Sequence, residues 1–277
     1  MSTIKELYRA RDLITNLTRR ELKSKYRATA LGHLWSLANP LTIMLVYTVV
    51  FSYIMRVQPD RGDPSGLDIY ALWLLCALLP WLFFTGTVNG GISTLIGNSG
   101  LIKKVAFPRS ALIVSNSIAL FITWCIEISV LLVALVIAGS DVVLFIPVLA
   151  IFMLLLALFA TGVAMFLSIA NAYFRDMQHF VTMFLQVWFF MTPVLYPITL
   201  VQQKSELAGP IVGPLTIYDF YRLNPMFHFA SAFRNLLYDN RFPSLTTTAL
   251  CVGLGVLTFT AGLWFFKRHE KGLAEAL

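Results

Sequence analysis

Charge is scarce in this sequence. Only 13% of its 277 residues are Asp, Glu, Lys or Arg, about half the roughly 25% that a water-soluble domain carries. The scarcity is also uneven, because residues 36–55, 69–102, 142–174, 177–203 and 243–266 contain none at all. A helix needs roughly 20 mostly apolar residues to cross the hydrocarbon of a bilayer, and every one of these five stretches is long enough. A single soluble globule is excluded, and an all-helical membrane protein is predicted.

Reactive groups are equally sparse. The three cysteines, Cys76, Cys125 and Cys251, lie inside apolar stretches, and no Cys or His has ligand spacing to another. A disulfide framework and a metal site are therefore not expected, and the thiols read as small buried hydrophobes. His33, His179, His228 and His269 stand apart from one another and suit solvated or capping roles. The 14 carboxylates are scattered, with no pair three or four residues apart inside an apolar stretch, so the paired acid and base of a membrane enzyme are missing. No G-x-x-x-x-G-K-[ST] phosphate cradle occurs; the nearest stretch, Gly97 to Lys104, has the wrong spacing and no following Ser or Thr. No catalytic residue is assigned, and any ATP chemistry is expected on another chain. An ion-coupled carrier needs ionisable groups along its path, and Glu127 alone lies in mid-span. Its carboxylate suits either a structural hydrogen bond or a coupling role.

What is present is apolar helix. A sixth span, 109–137, is interrupted only by Glu127. Residues 120–137 hold twelve Leu, Ile, Val and Phe; at roughly −0.3 to −0.6 kcal/mol each they offset a central carboxylate costing about 3 kcal/mol. Six spans are thus predicted, at about 35–55, 69–93, 110–138, 142–170, 180–198 and 245–266, within one transmembrane domain over the whole chain. Pro80 should kink the second, and Pro193 and Pro197 should bend the outer end of the fifth. Between the last two spans, the apolar pieces 211–217 and 226–237 are too short to cross, and they read as re-entrant helices in the outer leaflet.

Orientation follows from the basic residues. With the N-terminus inside, the inner segments hold 15 Lys and Arg and the outer segments six, so both termini are expected in the cytoplasm, in a cytoplasmic membrane. The net charge of +7 is accounted for by this bias and by lipid headgroups, with no nucleic-acid module. Residues 1–34 are polar and basic and predict no cleavable signal. Within them, 7–27 reads as an interfacial helix with Ala10, Leu13, Ile14 and Leu17 on one side and cations on the other; a solvated basic arm is the other reading. Residues 267–277 form the inner tail.

Aromatic residues make up 14% of the chain. Trp35, Trp73 and Trp264 fall where interface belts are expected. Others run through spans: Tyr47 and Phe51 in the first, Trp81 and Phe84 in the second, Trp188, Phe190 and Tyr196 in the fifth. They suit lipid-facing packing, or a channel in which sugar rings slide over aromatic faces.

Four patterns resemble one family. Ser24-Lys-Tyr-Arg-Ala-Thr-Ala-Leu-Gly-His-Leu-Trp35 with Asn39-Pro40-Leu41 is similar to the entry into span one of type-2 ABC export permeases. Leu101-Ile-Lys-Lys-Val-Ala-Phe-Pro-Arg109 resembles their first cytoplasmic loop, Asn171-Ala-Tyr-Phe-Arg-Asp176 with Thr192-Pro-Val-Leu-Tyr-Pro197 their fourth-to-fifth span region, and Leu223-Asn-Pro225 their outer re-entrant segment. Within the family the likeness is to subunits that export lipid-linked polysaccharide, such as O-antigen, teichoic acid and galactan. Permeases for drugs or natural products are the alternative, and a proton-coupled lipid flippase is a second.

The resemblance implies a homodimer with two copies of a separate ATPase subunit that carries ATP and Mg, and a polyprenyl-pyrophosphate-linked glycan as cargo. It implies a coupling helix between spans two and three. Leu95, Leu101, Ile102 and Phe107 would then plug a groove on the ATPase, with Lys103 and Lys104 at its rim; the other reading is that the lysines only enforce topology. Tyr47, Phe51, Trp188, Phe190 and Tyr196 become channel candidates. A pyrophosphate cannot enter hydrocarbon unpaired, so Lys25 and Arg27 are its inner candidate partners and Arg222 and Arg234 its outer ones, with ordinary lipid phosphates as the competing ligands.

Overall fold

The structure, a computed structural model, describes residues 6, 8–25, 35–57, 59–105, 107–210 and 214–273. Among these residues every extended regular element is a helix. Five helices are long and apolar enough to cross a membrane: Leu37–Ile54, Tyr70–Gly97, Ser110–Ile137, Val142–Tyr173 and Leu245–His269.

The N-terminal helix α1 (Arg11–Lys25) presents cations outward and buries Leu17 and Thr18, with Leu13 and Ile14 half-buried beside them. The apolar face read from the sequence therefore meets protein: α1 packs on α5, and Thr18 Oγ1 donates to the Ser115 carbonyl at 3.4 Å. Helix α2 (Trp35–Tyr47) continues as a π-helical segment, Thr48–Ile54. It lies against α3 (Tyr70–Gly97) and leaves Leu41, Leu45, Val49 and Tyr53 on its outer surface.

Helix α3 is the centre of the bundle. It is apolar all round, and 72% of its span window is buried, which is what a helix without a polar face requires. Around it stand α5 (Ser110–Ile137), α6 (Ile146–Tyr173, entered through a 3₁₀ turn at Val142–Phe145) and α7 (Met177–Phe190), while α11 (Leu245–His269) packs on α6. Helix α5 shows the sidedness plainly. Ile118, Ile122, Ile126, Val130 and Val133 recur every three or four residues on its exposed face, while Trp124, Ile128, Leu131 and Leu135 are buried. A continuous apolar stripe of that kind would be a liability in water and matches a lipid-facing surface.

The α6–α11 contact relies on missing side chains. A Cβ on Gly162 would lie 2.5 Å from the Thr258 carbonyl oxygen, and one on Gly262 would lie 2.5 Å from that of Gly162. Backbones approach this closely where small residues line a helix pair, as in membrane bundles that lack a hydrophobic drive between helices.

Two sequence expectations need correction. The predicted fifth span, 180–198, is not one long helix. Helix α7 has 14 residues and is followed by turns through 191–196, then by α8 (Ile198–Ala208). At 1.5 Å per residue α7 covers about 21 Å, short of the roughly 30 Å hydrocarbon. Pro193 and Pro197 are the cause: each lacks an N–H and disfavours helix in the residue before it. The outer segment also differs. Residues 211–213 lie outside the described residues, and the first short helix after them is α9 (Ile217–Arg222), begun by a Thr216–Asp219 capping box. The second predicted piece, 226–237, falls within α10 (Pro225–Arg234) and its π-helical continuation Asn235–Asp239. Here Phe229, Phe233, Leu236, Leu237 and Tyr238 are completely buried.

The ends of the elements fall into two groups. Glu6 pairs with Lys267 at 2.8 Å, Arg20 reaches Asn98 at 2.6 Å, and Arg109 donates to the Glu270 carbonyl. At the other end, the Tyr238 hydroxyl meets the Ile69 N–H at 3.0 Å and Ser140 meets Asn240 at 2.9 Å. The chain's first helix, the 97–109 connection and the foot of α11 therefore share one end of the bundle. The loops flanking 69, 139 and 240 share the opposite end.

Candidate translocation path and coupling surface

Helices α2, α3 and α7 meet through aromatic rings. Trp81 of α3 is at the middle, with Phe189 at 5.5 Å and Trp188 at 6.1 Å between ring centres. Tyr47 stacks on Phe189 at 6.1 Å and meets Phe51 edge-on at the same distance. Phe84 adds an edge contact to Trp188 at 5.4 Å. Of the five channel candidates, Tyr47, Phe51 and Trp188 are thus brought together, half-buried, in the packing between helices. Phe190 is exposed at 59%, and Tyr196 lies in the following turn. Phe189 and Trp81, which complete the cluster, carry no separate sequence signal beyond being aromatic in a span.

The outward face of α7 is a second aromatic surface. Phe180, Met183, Phe184, Val187, Phe190 and Met191 are all exposed, while Val181, Leu185 and Phe189 face α3. This three-and-four spacing makes a continuous apolar stripe on one side of α7.

The turn that ends α7 is held by polar side chains from three elements. The Tyr70 hydroxyl donates to the Leu195 carbonyl at 2.8 Å, and Arg234 donates to those of Pro193 and Val194. The Tyr196 hydroxyl reaches the Phe190 carbonyl at 2.6 Å and the Tyr221 hydroxyl at 2.8 Å. Arg234 is half-buried, with its guanidinium carbon 3.6 Å from the ring centre of Trp73. Its Nε is sealed from solvent and has no hydrogen-bond partner among the described residues. Arg234 is therefore engaged inside the fold, whereas Arg222, its companion among the outer candidates, is exposed. The inner candidates, the Lys25 side chain and Arg27, lie outside the described residues.

Helix α4 (Ser99–Lys104) forms in the predicted coupling connection. Leu95 and Ile102 are not displayed on it. They are buried with Leu17, Leu112 and Ile113 in a satellite core at this end of the bundle. Leu101 and Phe107 are half-buried, and Gly100, Lys103, Lys104 and Val105 are exposed. The apolar plug read from four residues is thus reduced, since two of them hold α4 to its own chain. A groove of about 540 Å³ runs beside α4, between the 102–110 segment and the foot of α11. Phe107, Leu263 and Phe266 supply apolar wall; Lys103, Lys104, Glu6 and Glu270 supply charge at its edges.

Known proteins match this sequence along nearly its whole length. The sequence profile of the ABC-2 type transporter family matches residues 12–238. An O-antigen export system permease protein, RfbA, of Myxococcus xanthus is 31% identical over 278 aligned residues, covering 99% of this chain and 98% of that protein. An RfbA of Klebsiella pneumoniae is 32% identical over 270 residues, covering 96% of this chain and 95% of its own. The polysialic acid transport protein KpsM of Escherichia coli is 19% identical over 257 residues, with 92% of each chain covered. A profile match over most of the length, and relatives above 30% identity across nearly all of it, leave one assignment: the chain belongs to the ABC-2 type transporter family.

Proposed function

We propose that this chain is the membrane permease subunit of an ATP-driven polysaccharide exporter. The observation that carries the proposal is the end-to-end similarity to two O-antigen export permeases, on a bundle with five span-length apolar helices. The cargo is a glycan on a polyprenyl-pyrophosphate carrier, and two copies of this chain work with two ATPase subunits in the bacterial cytoplasmic membrane.

The sixth crossing in this reading is made by α7 together with the 191–196 turn. Its support is the sequence of neighbours along α3: Thr182 lies beside Asn89, Trp188 beside Trp81, and Leu195 beside Tyr70. Those contacts climb the length of α3 from its last turns to its first. An even number of crossings agrees with Glu6 and Lys267 meeting at one end, and the excess of basic residues there argues that this end is cytoplasmic. Helices α8 to α10 then belong to the outer side, with α10 re-entrant.

Among the described residues, the stripe from Phe180 to Met191 stays exposed within one copy. A second copy of the chain and the passing glycan are its proposed partners, with Trp188, Phe190, Tyr47 and Phe51 on or behind the path. The exposed side of α4 and the groove beside it form the proposed seat of the ATPase.

The test is ATP hydrolysis by the co-purified complex, with and without lipid-linked glycan. The proposal expects stimulation by the glycan and none by a hydrophobic drug of similar mass. Stimulation by drug alone would favour the natural-product exporters instead.

A further inference from the structure

The end of α7 leaves a row of carbonyl oxygens without helical partners, on residues that are exposed at 190–191 and buried at 192–195. Every one from Phe190 to Leu195 accepts a hydrogen bond. That of Thr192 accepts from the Val194 N–H at 2.7 Å; the others accept from the side chains of Tyr196, Asn224, Arg234 and Tyr70. Asn224 differs from the rest because it joins three structural parts at once. Its Oδ1 accepts from the indole Nε1 of Trp188 at 2.8 Å and from the Met226 N–H at 2.9 Å, so it caps α10. Its Nδ2 donates to Thr192 Oγ1 at 2.9 Å and to the Met191 carbonyl at 3.2 Å. An indole and a backbone N–H can only donate, which fixes which way round the amide lies. All of its donors and acceptors are engaged.

We infer that Asn224 is a positioning residue for translocation, setting the Trp188 ring and the outer end of α7 relative to α10. The inference rests on the polysaccharide-export reading above. Trp188 stands in the last turn of α7, between the aromatic cluster and the 191–196 turn, so a polymer passing α7 meets a surface whose shape Asn224 fixes. The two bonds donated by Nδ2 fix that shape, whereas the two accepted by Oδ1 also serve ordinary helix capping.

Asn224→Asp separates the two roles. Aspartate is as good an N-cap as asparagine, and its oxygens still accept from Trp188 and Met226. It has no N–H to give, and it sets a carboxylate oxygen against the Met191 carbonyl. Asn224→Ala removes both roles together.

The experiment compares wild type, Asn224→Asp and Asn224→Ala, each expressed with the ATPase and the glycan-synthesising enzymes. Folded permease is measured by gel filtration and thermal midpoint, and exported glycan is measured at the cell surface. Asn224→Asp is expected to lower the midpoint, because the Met191 carbonyl loses its donor, yet to keep ATPase association, while export per folded permease falls at least five-fold. Asn224→Ala is expected to lose folded protein as well. Wild-type export by Asn224→Asp would reduce Asn224 to the cap of α10. A fall in export no larger than a parallel fall in folded Asn224→Asp would overturn the inference equally. A wild-type complex that hydrolyses ATP yet exports no glycan would instead sink the export reading, and the inference with it.

Discussion

The guanidinium of Arg234 stacks 3.6 Å from the ring centre of Trp73 while donating to the carbonyls of Pro193 and Val194. Its charge thus serves the fold. Charge-assisted bonds of this kind contribute about 1.5–3 kcal/mol each, and truncation leaves the carbonyls unpaired. Arg234→Met is expected to destabilise the detergent-solubilised protein by about 2–4 kcal/mol, read as a lowered thermal midpoint. Arg234→Lys should recover only part, because an ammonium cannot bridge two carbonyls and lie flat on an indole. Arg222→Ala, at an exposed site, should stay within about 0.5 kcal/mol of wild type. If Arg234→Met left the midpoint unchanged and reduced export alone, Arg234 would instead meet the pyrophosphate.

The close approach of α6 and α11 makes a second prediction with its own control. Gly162→Ala puts a methyl group 2.5 Å from the Thr258 carbonyl oxygen. The helices must separate, at about 1–3 kcal/mol. A methyl on Gly253, also in α11, meets nothing within 4 Å, and Gly253→Ala should be neutral or up to about 1 kcal/mol stabilising. Equal folded yields for the two variants would mean that the helix pair tolerates more slack than its backbone contacts indicate.

The span positions were legible because hydropathy and charge gaps are local signals. Five of the six predicted spans correspond to helices of span length, with ends within a few residues. The fifth stops short as a helix because Pro193 and Pro197, expected to bend its outer end, end it at Phe190 instead. Arg234 was visible as a cation, but its function depends on carbonyls that Pro193 frees about forty residues earlier in the chain, a relationship only the fold supplies. The packing of Ile102 was likewise out of reach of the sequence. An apolar residue in a basic loop reads as a docking residue, yet its actual neighbours, Leu17 and Leu112, belong to other helices. Asn224 carried a usable signal, an asparagine just before proline, which marks a helix start.

Burial of Ile102 divides the coupling residues into two groups with opposite expected behaviour. Ile102→Asp should cost folded permease, because it places a carboxylate in the satellite core. Leu101→Asp with Val105→Asp should cost less folded permease than Ile102→Asp and release the ATPase, since Val105 is 53% exposed and Leu101 only edges the satellite core. Co-purification on a tagged ATPase reads the second effect and gel filtration the first. Full recovery of the ATPase by the double variant would remove α4 as the coupling element.

Orientation is testable by cysteine labelling in intact cells. Cys76 and Cys251 are buried and Cys125 is half-buried, so background should be low. Asp68→Cys and Lys204→Cys are expected to react with an impermeant maleimide, and Lys103→Cys and Arg175→Cys only after permeabilisation. Reaction of Lys103→Cys in intact cells would invert the topology.

Translocation itself is the most direct measurement. Proteoliposomes holding this permease with its ATPase would be loaded with lipid-linked glycan on the ATPase-accessible face. ATP should move the glycan to the opposite face, where an added glycosidase digests it, and an ATPase unable to hydrolyse ATP should abolish the transfer. ATP hydrolysis at the normal rate with no glycan reaching the opposite face would contradict the account.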